Sequence, residues 1–408
     1  MERTQKFIIT KWKQGILSLL LEDNKDLEIH YDELSDVQVG NIYIAKVKDV
    51  VKNINAAFVE IIPGTKCYLS LENTIQPIYL NRLNQNAKAK LVQGDEILVQ
   101  VVKEQVKTKD AVVTTELSFA GQYVVLSSGS GLIRVSSKLT EEQRAHLRTE
   151  LKAYIPKDIN VIIRTNSQYA KTDEIIQELT DLNDQRNRLI ETAKHRTCYC
   201  VMWQPPKKYM TLIRDLKQEV LCEIVTDDEE LYQELLSYKQ SKIDQNHDLQ
   251  IKYYKDKLLP LIKHYSIETR LEKALCKRVW LKSGGYLVIE PTEALTSIDV
   301  NTGKYDGKKN LQDTFLKINL EAAAETVRQL RLRNLSGIII VDFINMERKE
   351  DRDLLLENLR ELVKNDRVKT QVHDMTALQL VEITRKKMDR PLYEKLSNKT
   401  DLIYTDIK

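Results

Sequence analysis

Residues that interrupt regular structure are scarce in this chain of 408 residues, with 12 glycines and 8 prolines. That scarcity argues against flexible linkers and low-complexity tails, and for long elements joined directly. No apolar run approaches the ~18 residues a membrane span requires; the longest candidate, Gly15 to Leu21, falls far short. The opening Met1-Glu2-Arg3-Thr4-Gln5-Lys6 lacks the basic-then-apolar layout of a secretory signal. The five cysteines (Cys67, Cys198, Cys200, Cys222 and Cys276) are odd in number and lack disulfide-scaffold spacing, so a reducing, cytoplasmic setting is expected. Cys198-Tyr199-Cys200 has no second Cys/His pair at ligand spacing, and tetrahedral zinc wants four ligands, so a structural role is expected there. Charge of one sign is also missing. Lys plus Arg number 63 against 60 Asp plus Glu, so any affinity for nucleic acid must come from local patches.

What is present is a globular composition, 42% hydrophobic and 30% charged, long enough for several packed units. Short apolar runs at Phe7–Thr10, Ile16–Leu21 and Leu27–Tyr31 predict strands, the last two joined by the turn Glu22-Asp23-Asn24-Lys25. A second β-rich block begins near Val39, with strands at Ile42–Val50, Ala56–Ile61, Cys67–Leu69, Ile97–Lys103 and Ala111–Leu117. Five short strands with one longer excursion between the third and fourth suit an OB-type barrel. Such barrels hold single strands by stacking bases on aromatics beside basic side chains, which Phe58, Tyr68, Lys103 and Lys109 could supply; packing and solubility are the plainer roles for the same residues.

Residues 119–214 mix strands (Tyr123–Leu126, Asn160–Thr165) with helices at Thr140–Ala153 and Thr172–Ala193. Thr140-Glu141-Glu142 reads as a cap with an acidic first turn, and Ile175, Ile176, Leu179 and Leu182 recur at helical spacing. A strand at Val220–Val225 and helices at Asp228–Ser237 and Ile267–Leu275 follow. From about Val279 the order strand, strand, long helix, strand, helix, strand, helix predicts an α/β unit.

The chemistry concentrates there. One strand ends in Asp299-Val300-Asn301, and period two puts Asp299 and Asn301 on one face before Asn301-Thr302-Gly303 turns the chain. A helix spanning Asn310 to Asn334 leads through the stop signal Leu335-Ser336-Gly337 into Ile338-Ile339-Ile340-Val341-Asp342. That β-branched run predicts a strand buried on both faces, with Asp342 at the rim where α/β proteins hold ligands. Two strand-end carboxylates suit Mg²⁺, which keeps several waters and needs only one or two carboxylates besides a substrate phosphate. A turn cap at Asp299 and a salt bridge at Asp342 would account for the same residues.

At this point the sequence resembles the ribonuclease E/G family. The blocks that carry the resemblance are Thr296-Ser297-Ile298-Asp299-Val300-Asn301-Thr302-Gly303, Asn319-Leu320-Glu321-Ala322-Ala323, Arg328-Gln329-Leu330-Arg331-Leu332-Arg333, Ile340-Val341-Asp342-Phe343-Ile344 and Leu380-Val381-Glu382-Ile383-Thr384-Arg385-Lys386. Upstream, Gly40-Asn41-Ile42-Tyr43 and Ala56-Ala57-Phe58-Val59 are similar to the family's OB-fold module, with Tyr68 where a Phe is usual. Ile163-Arg164-Thr165 looks like its pocket for a 5′-monophosphate, a role that suits a planar fork of donors beside a hydroxyl.

The resemblance implies a multi-subdomain α/β chain. An RNase H-like unit (1–37 and 215–277) would be interrupted by an OB-fold barrel (38–118) and a 5′-sensor unit (119–214). A DNase I-like α/β catalytic unit (278–390) and a tail (391–408) would follow. It implies a Mg²⁺-dependent endoribonuclease, Mn²⁺ being an alternative, that cuts single-stranded RNA to 5′-phosphate and 3′-hydroxyl ends in rRNA or tRNA processing or mRNA decay. Asp299 and Asp342 would hold the metal and Asn301 would orient the attacked phosphate or the water. The sequence departs from the family at two places. No cysteine follows Cys276, so the zinc link with its Cys-Pro-X-Cys motif is missing, structural zinc is not expected, and the assembly state is left open. Asn345 stands where many members carry Asp. A non-catalytic RNA-binding protein that keeps the fold is the competing expectation.

Overall fold

A computed structural model describes residues 4–33, 37–72, 76–82, 90–105, 110–215, 221–242, 249–303 and 311–397. The chain forms two compact units, Ser35–Gln218 and the combination of Met1–Leu34 with Glu219–Lys408.

In the first of these, strands Ile42–Val51, Ala56–Ile62, Thr65–Ser70, Ala111–Thr114 and Glu96–Lys103 pair in that order, and the last pairs again with Ile42–Val51 to close a five-stranded barrel. Thr65–Ser70 and Ala111–Thr114 run parallel and the other pairs antiparallel, an arrangement consistent with an OB-like unit. Alternation does the sorting: Tyr43, Ala45 and Val47, then Ala57, Val59 and Ile61, point into the barrel and are fully or almost fully buried. Cys198-Tyr199-Cys200 lies along the barrel wall, where Tyr199 N–H donates to the Ile44 carbonyl and Ile44 N–H to that of Cys200. All five cysteines are free thiols. A second, four-stranded sheet (Ile133–Val135, Ile159–Ile163, Val124–Ser128, Ser118–Ala120) packs against helices Glu141–Leu151 and Thr172–Ala193. Thr140 caps the shorter helix, its hydroxyl accepting from Gln143 N–H while the Gln143 side chain reaches back.

The other unit contains two sheets. In the five-stranded one the order is Leu249–Tyr253, Leu221–Thr226, Thr4–Trp12, Gly15–Glu22, Lys25–Glu33. Its last hairpin turns at Asp23 and Asn24, both with positive φ (48° and 62°), as a two-residue hairpin of this twist demands. Val220 and Asn310, expected at element ends, lie outside the described residues.

The six-stranded sheet follows the order Arg278–Trp280, Tyr286–Pro291, Leu295–Asn301, Gly337–Asp342, Leu380–Arg385, Thr370–Met375. Only Leu295–Asn301 and Gly337–Asp342 are parallel, joined through helix Leu311–Leu332. That helix and Lys349–Val363 cover one face of the sheet, where Leu287, Ile298, Val300, Ile339, Val341 and Ile383 meet Ile318, Ala322, Ala323 and Leu355. The expectation of a strand buried on both faces is corrected here. Both helices lie on one side, and Ile338 on the other is 51% exposed. The long helix, expected to reach Asn334, ends at Leu332. Asn334 takes the left-handed conformation (φ 50°), Leu335 N–H bonds the Leu330 carbonyl and Asn334 N–H that of Arg331, which together form a Schellman cap.

The arginines of that helix fasten the two sheets' elements together. Arg328 donates to the Asp26 carbonyl (2.6 Å), and Arg331 donates to the buried Glu28 carboxylate (2.8 Å), which Arg367 and His30 also approach. Burial pushes the Glu28 carboxyl up, but Arg367, His30 and Arg331 outweigh it and hold the group well below the usual carboxylate range. A carboxyl lowered on folding adds stability that is complete above its unfolded value, about 4.3, and disappears as pH falls toward the folded value. Wild type should therefore melt well above Glu28→Gln at about pH 6, with the gap narrowing near pH 3.5. A gap unchanged with pH in thermal melts would show that Glu28 contributes by packing alone.

Candidate active site

Asp299 and Asp342 are brought together by the backbone ladder of the six-stranded sheet. Thr292 closes the hairpin before Asp299, its hydroxyl donating to the Leu295 carbonyl (2.7 Å). That sets a register in which Val288 faces Asp299 and Tyr286 faces Asn301. The parallel pairing then places Asp299 directly beside Asp342. Neighbouring strands lie about 4.8 Å apart, and both side chains are exposed, on the face opposite the two described helices. Partial burial and the Asp299 charge push the Asp342 carboxyl above its ordinary value. Asn301 Nδ2 donates to Asp299 Oδ2 (2.7 Å), so the amide sits within the acidic pair's surroundings and steadies one carboxylate.

Two side chains of the long helix pin the loops that flank this rim. Asn319, completely buried, donates to the Ile344 carbonyl (2.8 Å) and accepts from Ile344 N–H (3.0 Å), holding the chain just beyond Asp342. Glu321 accepts from the N–H groups of Lys282 (2.7 Å) and Ser283 (3.1 Å), fixing the turn before Tyr286. Some burial pushes the Glu321 carboxyl up, but the Ser283 and Lys282 donors prevail and lower it. Close approach also explains Gly303. Its φ is +66°, and a Cβ there would collide with the Gly284 carbonyl oxygen. In the sequence Asn319 and Glu321 stand out only within the block Asn319-Leu320-Glu321-Ala322-Ala323. The available signal was a polar Asn319 among the core-facing Ile318, Ala322 and Ala323.

The other candidate residues lie in unit Ser35–Gln218. Phe58 faces Tyr68, Tyr68 faces Val112 and Val112 faces Lys103, so aromatics and lysine form one row on the barrel's outer surface. The two rings meet edge-on with centroids 6.1 Å apart, both partly exposed, and Lys103 is exposed. Lys109 lies outside the described residues. Arg164 forks onto Asp215 (3.0 and 2.7 Å) and donates to the Gly121 carbonyl (2.7 Å); Arg214 reaches the same carboxylate (2.9 Å). Burial pushes Asp215 up, but Arg164 and Arg214 prevail and lower it. Two guanidinium groups share the Asp215 carboxylate, and a second carboxylate, Glu178, accepts nearby from the N–H groups of Gln122, Tyr123 and Val124. The Thr165 hydroxyl lies 2.8 Å from that of Ser136. Asn345 is exposed just past the Asp342 strand.

Fold and site together define a mixed α/β protein with two like charges held side by side on an open sheet face, an arrangement that favours a cation between them. Among the described residues no group of three or more His, Cys, Asp or Glu is placed to cage a metal. Comparison with known proteins narrows the class. The chain belongs to the ribonuclease E/G family, whose sequence model matches residues 118–388. It is 33% identical over 390 residues to ribonuclease G of Escherichia coli (strain K12), covering 91% of this chain and 77% of that protein. It is 32% identical over 362 residues to ribonuclease E of Synechocystis sp., covering 88% of this chain and 53% of that one. Ribonuclease G of Haemophilus influenzae is 32% identical over 357 residues, 86% of this chain and 72% of its own length. The chain thus spans about half the length of the Synechocystis ribonuclease E. No helix among the described residues is long and apolar enough to cross a membrane.

Proposed function

We propose that this protein is a divalent-metal-dependent endoribonuclease that cuts single-stranded RNA to leave 5′-phosphate and 3′-hydroxyl ends. The observation that carries this reading is the in-register placement of Asp299 beside Asp342 on the open sheet face. Two carboxylates, with waters and an RNA phosphate, would suit the oxygen preference of Mg²⁺, and a cation there would offset the partial burial and the Asp299 charge that together raise Asp342. When bound, such an ion supplies positive charge against the scissile phosphate and acidifies water. Asp299 and Asp342 would hold it. Asn301, steadied by its bond to Asp299, offers the remaining amide groups to a phosphate oxygen or the attacking water.

The barrel row of Phe58, Tyr68 and Lys103 supports single-strand binding by stacking and charge. The unit boundaries follow the same reading: an RNase H-like unit (1–37, 215–277), an OB-fold barrel (38–118), a sensor unit (119–214) and a DNase I-like catalytic unit (278–390). The cellular setting is the cytoplasm, in rRNA or tRNA processing or mRNA decay. The purified chain, given a fluorescent single-stranded RNA, should release shorter products with Mg²⁺ and none with EDTA. Identical lanes on a gel would overturn the enzymatic reading.

We also propose that Arg164 and Thr165 sense a 5′-monophosphate, supported by the two guanidinium groups, of Arg164 and Arg214, gathered on Asp215. Cleavage should favour 5′-monophosphorylated RNA over 5′-hydroxyl RNA, and Arg164→Ala should lower that ratio about tenfold, toward unity, as a charge-assisted pair of bonds is lost. Initial rates on the matched substrates check this; an unchanged ratio would make Arg164 a purely structural partner of Asp215.

A further inference from the structure

The open face of the catalytic sheet continues past the carboxylates to an aromatic and basic patch at the sheet edge. Trp280 faces Tyr286, and Tyr286 faces Asn301, so the three occupy one row across neighbouring strands. Trp280 is 64% exposed. The other two tryptophans differ. Trp12 is buried, and Trp203 is partly buried against Phe119. The Trp280 and Tyr286 rings lie 5.1 Å apart at 59°. The Arg278 guanidinium sits 4.6 Å from the Tyr286 ring centre and 5.8 Å from that of Trp280. A large exposed aromatic with an arginine beside it is uncommon on a surface with no partner.

We infer that Trp280, with Tyr286 and Arg278, forms a base-stacking subsite for a nucleotide flanking the scissile phosphate. The inference rests on the ribonuclease reading for its substrate, and it deepens that reading by naming where one base is held. Geometry favours RNA as the occupant. The patch shares its face with Asp299 and Asn301, and two strand spacings, about 10 Å, separate the Trp280 backbone from that of Asn301. The chemistry agrees, because an exposed indole accepts any base by its π-face and Arg278 adds positive charge beside the acidic pair. Stacking requires an unpaired base, so the subsite selects single strands over duplex.

The test separates binding from cleavage. In EDTA, with Asp299→Asn as background, single-stranded RNA should quench tryptophan fluorescence, and adding Trp280→Ala should remove most of that quench. Affinity should fall about tenfold, within the range for losing one stacked base, while Trp280→Phe recovers most of it and duplex affinity is indifferent to the change. In the metal-loaded enzyme the loss from Trp280→Ala should fall mainly on KM. Unchanged quench and affinity in Trp280→Ala would overturn the subsite. So would an unchanged RNA affinity accompanied by altered self-association in sedimentation, which would make the patch a protein contact. Quenching that depends on Trp280 in a chain with no cleavage activity would support the subsite while defeating the enzymatic proposal.

Discussion

Asp299→Asn should reduce Mg²⁺-dependent RNA cleavage by at least about a hundredfold, since a metal's charge stabilisation is worth several kcal/mol. RNA affinity should stay within about threefold, because phosphate and base contacts elsewhere carry the binding. Asp342→Asn should do the same, and the double variant should be little worse than either single, because the two carboxylates act as a unit. The substitution is nearly isosteric and its site exposed, so melting temperature should hardly move. Cleavage retained by either variant, measured beside a filter-binding control, would sink the assignment of the pair.

Asp366→Ala should give the largest loss of stability. Asp366 and Arg385 are both almost wholly buried and bonded at 2.7 Å. Arg385 also donates to the Asn334 side chain and the Leu335 carbonyl, each at 3.0 Å. Removing the carboxylate would strand a guanidinium inside the protein, at a cost of about 3–5 kcal/mol. In a unit of this size that is a fall in Tm on the order of 10 °C. Because Asn334 and Leu335 form the helix cap just before the Asp342 strand, activity should fade at lower temperature too. A shift under about 2 °C in calorimetry would mean that the buried Arg385 does not depend on Asp366 for its compensation.

Much of this architecture was legible in local pattern. The turn at Asp23-Asn24, the capped helix after Thr140 and the shared face of Asp299 and Asn301 follow from φ preferences, capping chemistry and strand period. Longer-range facts were not legible. The run Ile338 to Val341 has the composition of a doubly buried strand, but nothing in a strand states on which side the neighbouring helices will lie. Arg328 and Arg331 were quotable as a block without a role, since their partners Asp26 and Glu28 are about three hundred residues away in sequence. Two strand-end carboxylates were legible as a candidate pair, but their side-by-side placement depends on the register across the connection through helix Leu311–Leu332, which no local pattern states. The Trp280 patch is not legible in sequence, because a lone tryptophan in a short strand is compatible with core until its exposure is known.

Both acidic strands occupy the middle of the six-stranded sheet rather than its margin. Interior amides of a sheet generally exchange with solvent only when a whole cooperative unit opens. The spacing of the two acids is therefore coupled to global folding, and local fraying of the loops leaves it intact. Heat would inactivate such a centre in one step with the loss of native structure, with little gradual decline beforehand.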